Sequence, residues 1–150
     1  YEDGHSREAR ERMSQAALLS GIALANSGLG MAHGVAAALG AVCKVSHGLA
    51  CAVMLPCALR MNAEVVPERV ARVGELLAGR SMPQSEAIVA AIEISEQLLD
   101  CFQIPRRLSD LGCTADQIEA LVRLSRGNSM TGNPKELSDE ELSTILEAML

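Results

Sequence analysis

Residues 28–62 read GLGMAHGVAAALGAVCKVSHGLACAVMLPCALRMN, and this run decides the fold. From Ala32 to Leu59 it is the most apolar part of the chain, broken by His33, Lys44, His47 and Pro56. Those interruptions deny it the ~20 uninterrupted apolar residues of a membrane span, so it reads as buried core and not as a membrane segment. No period-two alternation of a half-buried strand is present, and the apolar residues recur at helical spacing. One helix is expected from about Met31 to Ala41. Ser46 is placed to cap the next, which carries His47, Leu49, Val53 and Leu55 toward Met61. Pro56 should kink or interrupt that helix, because its ring removes an amide donor and crowds the preceding turn.

Working outward, every flanking segment is also a helix candidate. Ser6 can cap a helix that opens charged, from Arg7 to Arg12, turns apolar from Ala16 to Asn26, and ends at Gly28 and Gly30. Downstream, Pro67 suits the first turn of a helix through Leu77 closed by Gly79, and Pro83 opens another from about Gln84 to Phe102 that Pro105 ends. Thr114 with Gln117 and Ser138 with Glu141 are capping boxes, starting helices that reach about Ser125 and Met149. Between them, Gly127 to Leu137 reads as the longest loop. The expectation is an all-α bundle of about seven helices, with residues 1–150 forming one domain.

Composition agrees. The 150 residues are 49% hydrophobic but include one Tyr, one Phe and no Trp. Core volume must therefore come from Ala, Leu, Val, Ile and Met, and small side chains imply closely packed helices. A net charge of -6 with no basic stripe argues against a nucleic-acid partner. Five cysteines form no CxxC pair, a usage that points to reduced thiols and a cytoplasmic location.

Two of the three histidines, His33 and His47, sit inside the apolar run. A neutral imidazole can be buried cheaply when both nitrogens find partners, so two satisfied core histidines are one reading. Metal ligation is the other, because imidazole nitrogen suits both Zn and Fe. The two lie fourteen residues apart. Such a pair cannot share one helical turn, so the ligands would come from consecutive helices joined near Gly40 to Ser46. His5, in a charged N-terminal stretch, reads as a solvated residue. Cys43 and Cys51 flank His47, but their spacing matches no structural zinc pattern and they read as inert buried thiols. Gly28, Gly30 and Gly34 follow no strand, which excludes a dinucleotide-binding loop; their small size instead lets the helix bearing His33 approach its neighbours, or leaves backbone near a ligand.

The run from Gly28 to Asn62 resembles the signature of iron-containing (group III) alcohol dehydrogenases: a Gly-Leu-Gly closely followed by His, then fourteen residues later His-Gly, with an apolar helix ending in Leu-Pro and a later Asn. Ala16 to Asn26 is similar to the helix preceding that signature, and Gly132 to Leu150 to the family's Gly-Asn-Pro tail and last helix. Glu64 to Ser129 matches in character only. Several positions depart from the pattern: Ala37 stands where many members have a further His, Ala38 and Ser46 replace frequent prolines, Cys51 replaces an Asn, and Cys57 replaces a His.

The resemblance implies the C-terminal, helical, metal-binding part of a two-domain dehydrogenase, in which His33 and His47 are the last two ligands to a divalent metal, Fe2+ or else Zn2+. It also implies an N-terminal α/β domain that binds NAD(P), and an Asp and a first His in an upstream Asp-x-x-x-His segment. No such pair precedes His33, since Asp3 and His5 have the wrong spacing. The implied activity is interconversion of alcohols with aldehydes or ketones by hydride transfer, with the fragment inactive alone. Maleylacetate reductase, glycerol dehydrogenase and dehydroquinate synthase are neighbouring branches of the same fold. A stand-alone helical interaction module with relic histidines is the alternative of a different class. Because Tyr1 is not Met, a parent chain of about 350 to 400 residues is expected, two domains' worth. Apolar surface left where the upstream domain would dock leads to an expectation of self-association.

Overall fold

The structure is a computed structural model and describes residues 2–150; Tyr1, on which the expectation of a longer parent rests, lies outside the described residues. Seven α-helices follow in order: α1 (Arg7–Ser27), α2 (Met31–Cys43), α3 (His47–Asn62), α4 (Pro67–Ala78), α5 (Gln84–Cys101), α6 (Ile118–Leu124) and α7 (Asp139–Ala148). Single 3-10 turns at Ser109–Leu111 and Ala115–Gln117 precede α6, and no strand occurs among the described residues. The all-α expectation is met. Among the described residues no single helix is long and apolar enough to cross a membrane.

The core is built around α2. Met31, Val35, Ala36, Ala38 and Leu39 are buried on it, at the spacing that brings one helical face inward. That face packs on α3, which buries Ala50, Val53, Met54 and Cys57, and on α6, which buries Leu121; Leu142 and Leu146 of α7 join the same core from the side of α6. Helices α4 and α5 pack as a separate small-residue hairpin, burying Val70, Ala71 and Gly74 on one side and Ala87, Ala91 and Ser95 on the other. Helix α5 also rests on α3.

Helix α1 is different. Ser6 caps it as expected, accepting a hydrogen bond from the Ala9 amide at 3.3 Å. Ion pairs Arg7–Glu11 and Arg12–Glu8 tie its first turns, yet none of its 21 residues is buried. At the Gly28–Gly30 break the chain turns by 101° into α2.

Four local expectations are corrected. Helix α3 runs unbroken through Pro56, which is itself buried. The ring costs one backbone bond, and packing against α2 and α5 holds the helix together across the gap. Helix α2 extends to Cys43, two residues past the expected end at Ala41, because Lys44 closes it in the left-handed region at φ 59° with its Nζ donating to the Ala41 carbonyl at 2.9 Å. Ser46 does occupy the N-cap position of α3, but its side chain makes no capping bond. The capping box of α7 forms in full, Ser138 and Glu141 exchanging bonds of 2.8 and 3.1 Å. At α6 the Thr114 amide donates to Gln117 Oε1 at 3.0 Å, and the helix proper starts one 3-10 turn later than expected.

Candidate metal centre

His33 is the third residue of α2 and His47 the first of α3, so each comes from the first turn of its helix, and the packing of α2 on α3 brings the two together. Their ring centroids are 5.4 Å apart, with the planes tilted by 56°. One turn along α3, Cys51 places its Sγ 3.5 Å from His47 Nε2. One donor atom from each of His33, His47 and Cys51 can be chosen so that all lie within 4.8 Å of one another. His47 is exposed, while His33 and Cys51 are half-buried. The cluster therefore sits at the protein surface, next in sequence to the buried residues Gly34 and Ala50.

The helix end that carries His33 is held by contacts from the distant tail. Gly30 caps α2 without a side chain, and the role passes to Asn133 in the distant tail, whose Oδ1 accepts from the Met31 amide at 2.9 Å and from Asn62 Nδ2 at 3.1 Å. Asn133 Nδ2 donates to the Lys135 carbonyl, and the Lys135 amide returns a bond to Asn62 Oδ1. The start of α2 and the end of α3 are thus clamped by the Gly132-Asn133-Pro134 loop. The loop fits only because Gly132 has no side chain: a Cβ there would stand 2.2 Å from the Leu29 carbonyl oxygen. Gly34, next to His33, likewise faces the Ser125 carbonyl, 2.9 Å from where its Cβ would be. The close approach expected of the helix bearing His33 is present.

The donors suit a metal chemically. Burial first, and then the neighbouring His47, lower the pKa of His33, which keeps its imidazole neutral and free to ligate. Burial raises the thiol pKa of Cys51, so it carries its proton until a cation displaces it. Two nitrogens and one sulfur make a donor set that accepts zinc or iron.

The other sequence candidates lie elsewhere. His5 is exposed in the turn before α1, its amide donating to Asp3 Oδ1. Cys43 faces Gln117 and Cys113, whose thiol burial and then Cys43 push up to about 12. Cys57 lines a cavity of about 300 Å³ with Val53, Pro56, Arg60, Glu96 and Arg106, outside the histidine cluster. Ala37, one turn past His33, is exposed and leaves open the face where a longer side chain would reach. Sequence reading set Cys51 aside with the inert thiols; the signal that finds it is the i, i+4 spacing from His47 on one helix face.

A model of the Fe-containing alcohol dehydrogenase family, C-terminal, matches residues 1–150. The chain belongs to that family. The NADPH-dependent butanol dehydrogenase of Clostridium saccharobutylicum is 31% identical over 148 residues, covering 95% of this chain and 38% of that protein. The lactaldehyde reductase of Escherichia coli (strain K12) is 36% identical over 141 residues, covering 91% of this chain and 36% of that enzyme. Among solved structures, a 1,3-propanediol oxidoreductase superposes with a TM-score of 0.89 at 31% identity, covering 98% of this chain and 39% of that one. The chain thus spans less than two fifths of each of these iron-containing alcohol dehydrogenase relatives, and its seven helices correspond to their C-terminal part.

Proposed function

We propose that the whole protein is a metal-dependent, NAD(P)-linked alcohol dehydrogenase, interconverting an alcohol with an aldehyde or ketone by hydride transfer, and that residues 1–150 are its helical metal-binding domain. The observation that carries this reading is the convergence of His33 and His47, fourteen residues apart in sequence and each in the first turn of its own helix. Family membership and the oxidoreductase names of its relatives support it. Five free cysteines accord with a cytoplasmic enzyme.

In this reading His33 and His47 hold a divalent metal, iron by the family's name, whose bound form supplies Lewis acidity toward an alcohol or carbonyl oxygen. The chain's own residues do the positioning. The Asn133 clamp fixes the start of α2 and so sets where His33 points, and the neutral state of His33 leaves a nitrogen lone pair available. Ala37 and Leu55, one helical turn past His33 and Cys51, are exposed, and a small alcohol or carbonyl substrate is assigned to that side. The nicotinamide site and the remaining donors, an Asp and a His, are assigned to the upstream part, and residues 1–150 alone are inactive.

The test uses the full-length protein with 1,3-propanediol, butanol and propane-1,2-diol, following nicotinamide reduction by absorbance with NAD+ and with NADP+. His47→Ala, checked for retained helicity, is expected to lower kcat/KM on the order of 100-fold or more. Full activity in a folded His47→Ala variant contradicts the proposal.

A further inference from the structure

The family places an Asn where this chain has Cys51, and an amide is a poor metal donor where a thiolate is a strong one. The structure does not leave that thiol to one side. His47 and Cys51 occupy successive turns of α3, and the separation of their donor atoms is 3.5 Å. A nitrogen and a sulfur bound to one zinc, at about 2.0–2.1 and 2.3 Å from it, stand about 3.1 to 3.6 Å apart, from right-angle to tetrahedral geometry. The pair is therefore already at the spacing a shared metal requires. His33 closes the triangle, its donor lying within 4.8 Å of both others. Among the described residues the Cys51 thiol meets His47, while its stem packs on the edge of the core that Ala50, Val53 and Met54 fill.

We propose that Cys51 Sγ is a third protein donor to the metal held by His33 and His47, making a two-nitrogen, one-sulfur face that takes zinc in preference to iron. This rests on the reading of His33 and His47 as metal ligands. Imidazole accommodates iron and zinc alike, whereas adding a thiolate shifts the preference toward the softer-binding ion. The departure from the family's Asn is then a change of metal selectivity, made by one side chain on a helix turn that already carries a ligand.

The experiment is X-ray absorption at the zinc edge on the full-length protein loaded with zinc alone. One sulfur neighbour per zinc at about 2.3 Å is expected, beside nitrogen or oxygen neighbours at about 2.0–2.1 Å. Cys51→Asn and the nearly isosteric Cys51→Ser should both keep zinc but lose the sulfur. Their preference for zinc over Fe2+, read by competition, should fall at least the tenfold that losing an outer partner of a metal ligand costs. Full zinc loading with no sulfur neighbour in the unmodified protein overturns the proposal and leaves His33 and His47 as ligands. A sulfur neighbour that persists in both variants overturns it too, by assigning the donor to another cysteine. A folded protein that binds no zinc and no iron removes the histidine reading itself, and this proposal with it.

Discussion

Helices α1 and α2 are consecutive and separated by three residues, yet they are held in place by different physics. Helix α2 is buried on Met31, Val35, Ala36 and Leu39, all with no exposed surface, and its start is tied to a residue 102 positions away through Asn133. Helix α1 has a side-chain cap and two i, i+4 ion pairs but no buried residue, and Met13, Leu18 and Leu19 are 70%, 65% and 65% exposed. Caps and surface ion pairs contribute little, about 1 kcal/mol for the cap and less for each pair, whereas burial of a large apolar side chain contributes about 1.5–3 kcal/mol. Local signals suffice to write a helix into the sequence. Tertiary packing decides which helix can hold a ligand at a fixed place.

Four substitutions test that contrast. Leu39→Ala removes a fully buried side chain from the centre of the α2 face and is expected to destabilise by about 4 kcal/mol in chemical denaturation, through lost transfer energy and the cavity left behind. A loss under about 1 kcal/mol would mean that α2 is not the organising helix. Gly132→Ala forces a Cβ against the Leu29 carbonyl and should cost about 3 kcal/mol, with the tail loop displaced from the start of α2.

Asn133→Ala is gentler, leaving the Met31 amide without its acceptor at a cost of about 2 kcal/mol. Because that amide sets the position of His33, the same variant should also weaken metal binding, by roughly tenfold in a chelator titration. Unchanged metal affinity in a destabilised variant would show that the clamp serves the fold and not the site. At the other end of the scale, Leu18→Ser on α1 should change the stability of residues 1–150 by less than about 0.5 kcal/mol. In the full-length protein a loss near 2 kcal/mol would locate the partner surface of α1 outside these residues.

The elements were legible where the chain punctuates itself. Ser6, Pro67, Gly79, Pro83 and the Ser138–Glu141 box each fall at a helix boundary because they act on the nearest turn, by capping, fixing φ or permitting a left-handed residue. Of the kink or interruption expected at Pro56, the interruption does not occur. The proline's local effect is real, but α3 is sandwiched between α2 and α5, and packing outweighs one missing backbone bond. Lys44 hid the end of α2, since a lysine in the left-handed region carries no sequence signature.

The candidate site divides the same way. His33 and His47 stood out as polar residues in an apolar run, and the family resemblance supplied their role. Cys51 was set aside because zinc patterns are recognised by pairs of close cysteines, whereas here one thiol meets an imidazole across a single helix turn. The Asn133 clamp could not be read at all. It joins segments about a hundred residues apart, and nothing in Gly132-Asn133-Pro134 says which helix end it will meet.

The measurement that bears most directly on the central claim is elemental analysis of the full-length protein beside its His33→Ala, His47→Ala double variant. About one equivalent of zinc or iron per chain in the unmodified protein, lost in a double variant that keeps its helical circular dichroism, is the predicted result. A well-folded unmodified protein without metal, or a double variant that retains a full equivalent, would contradict the assignment of these two histidines.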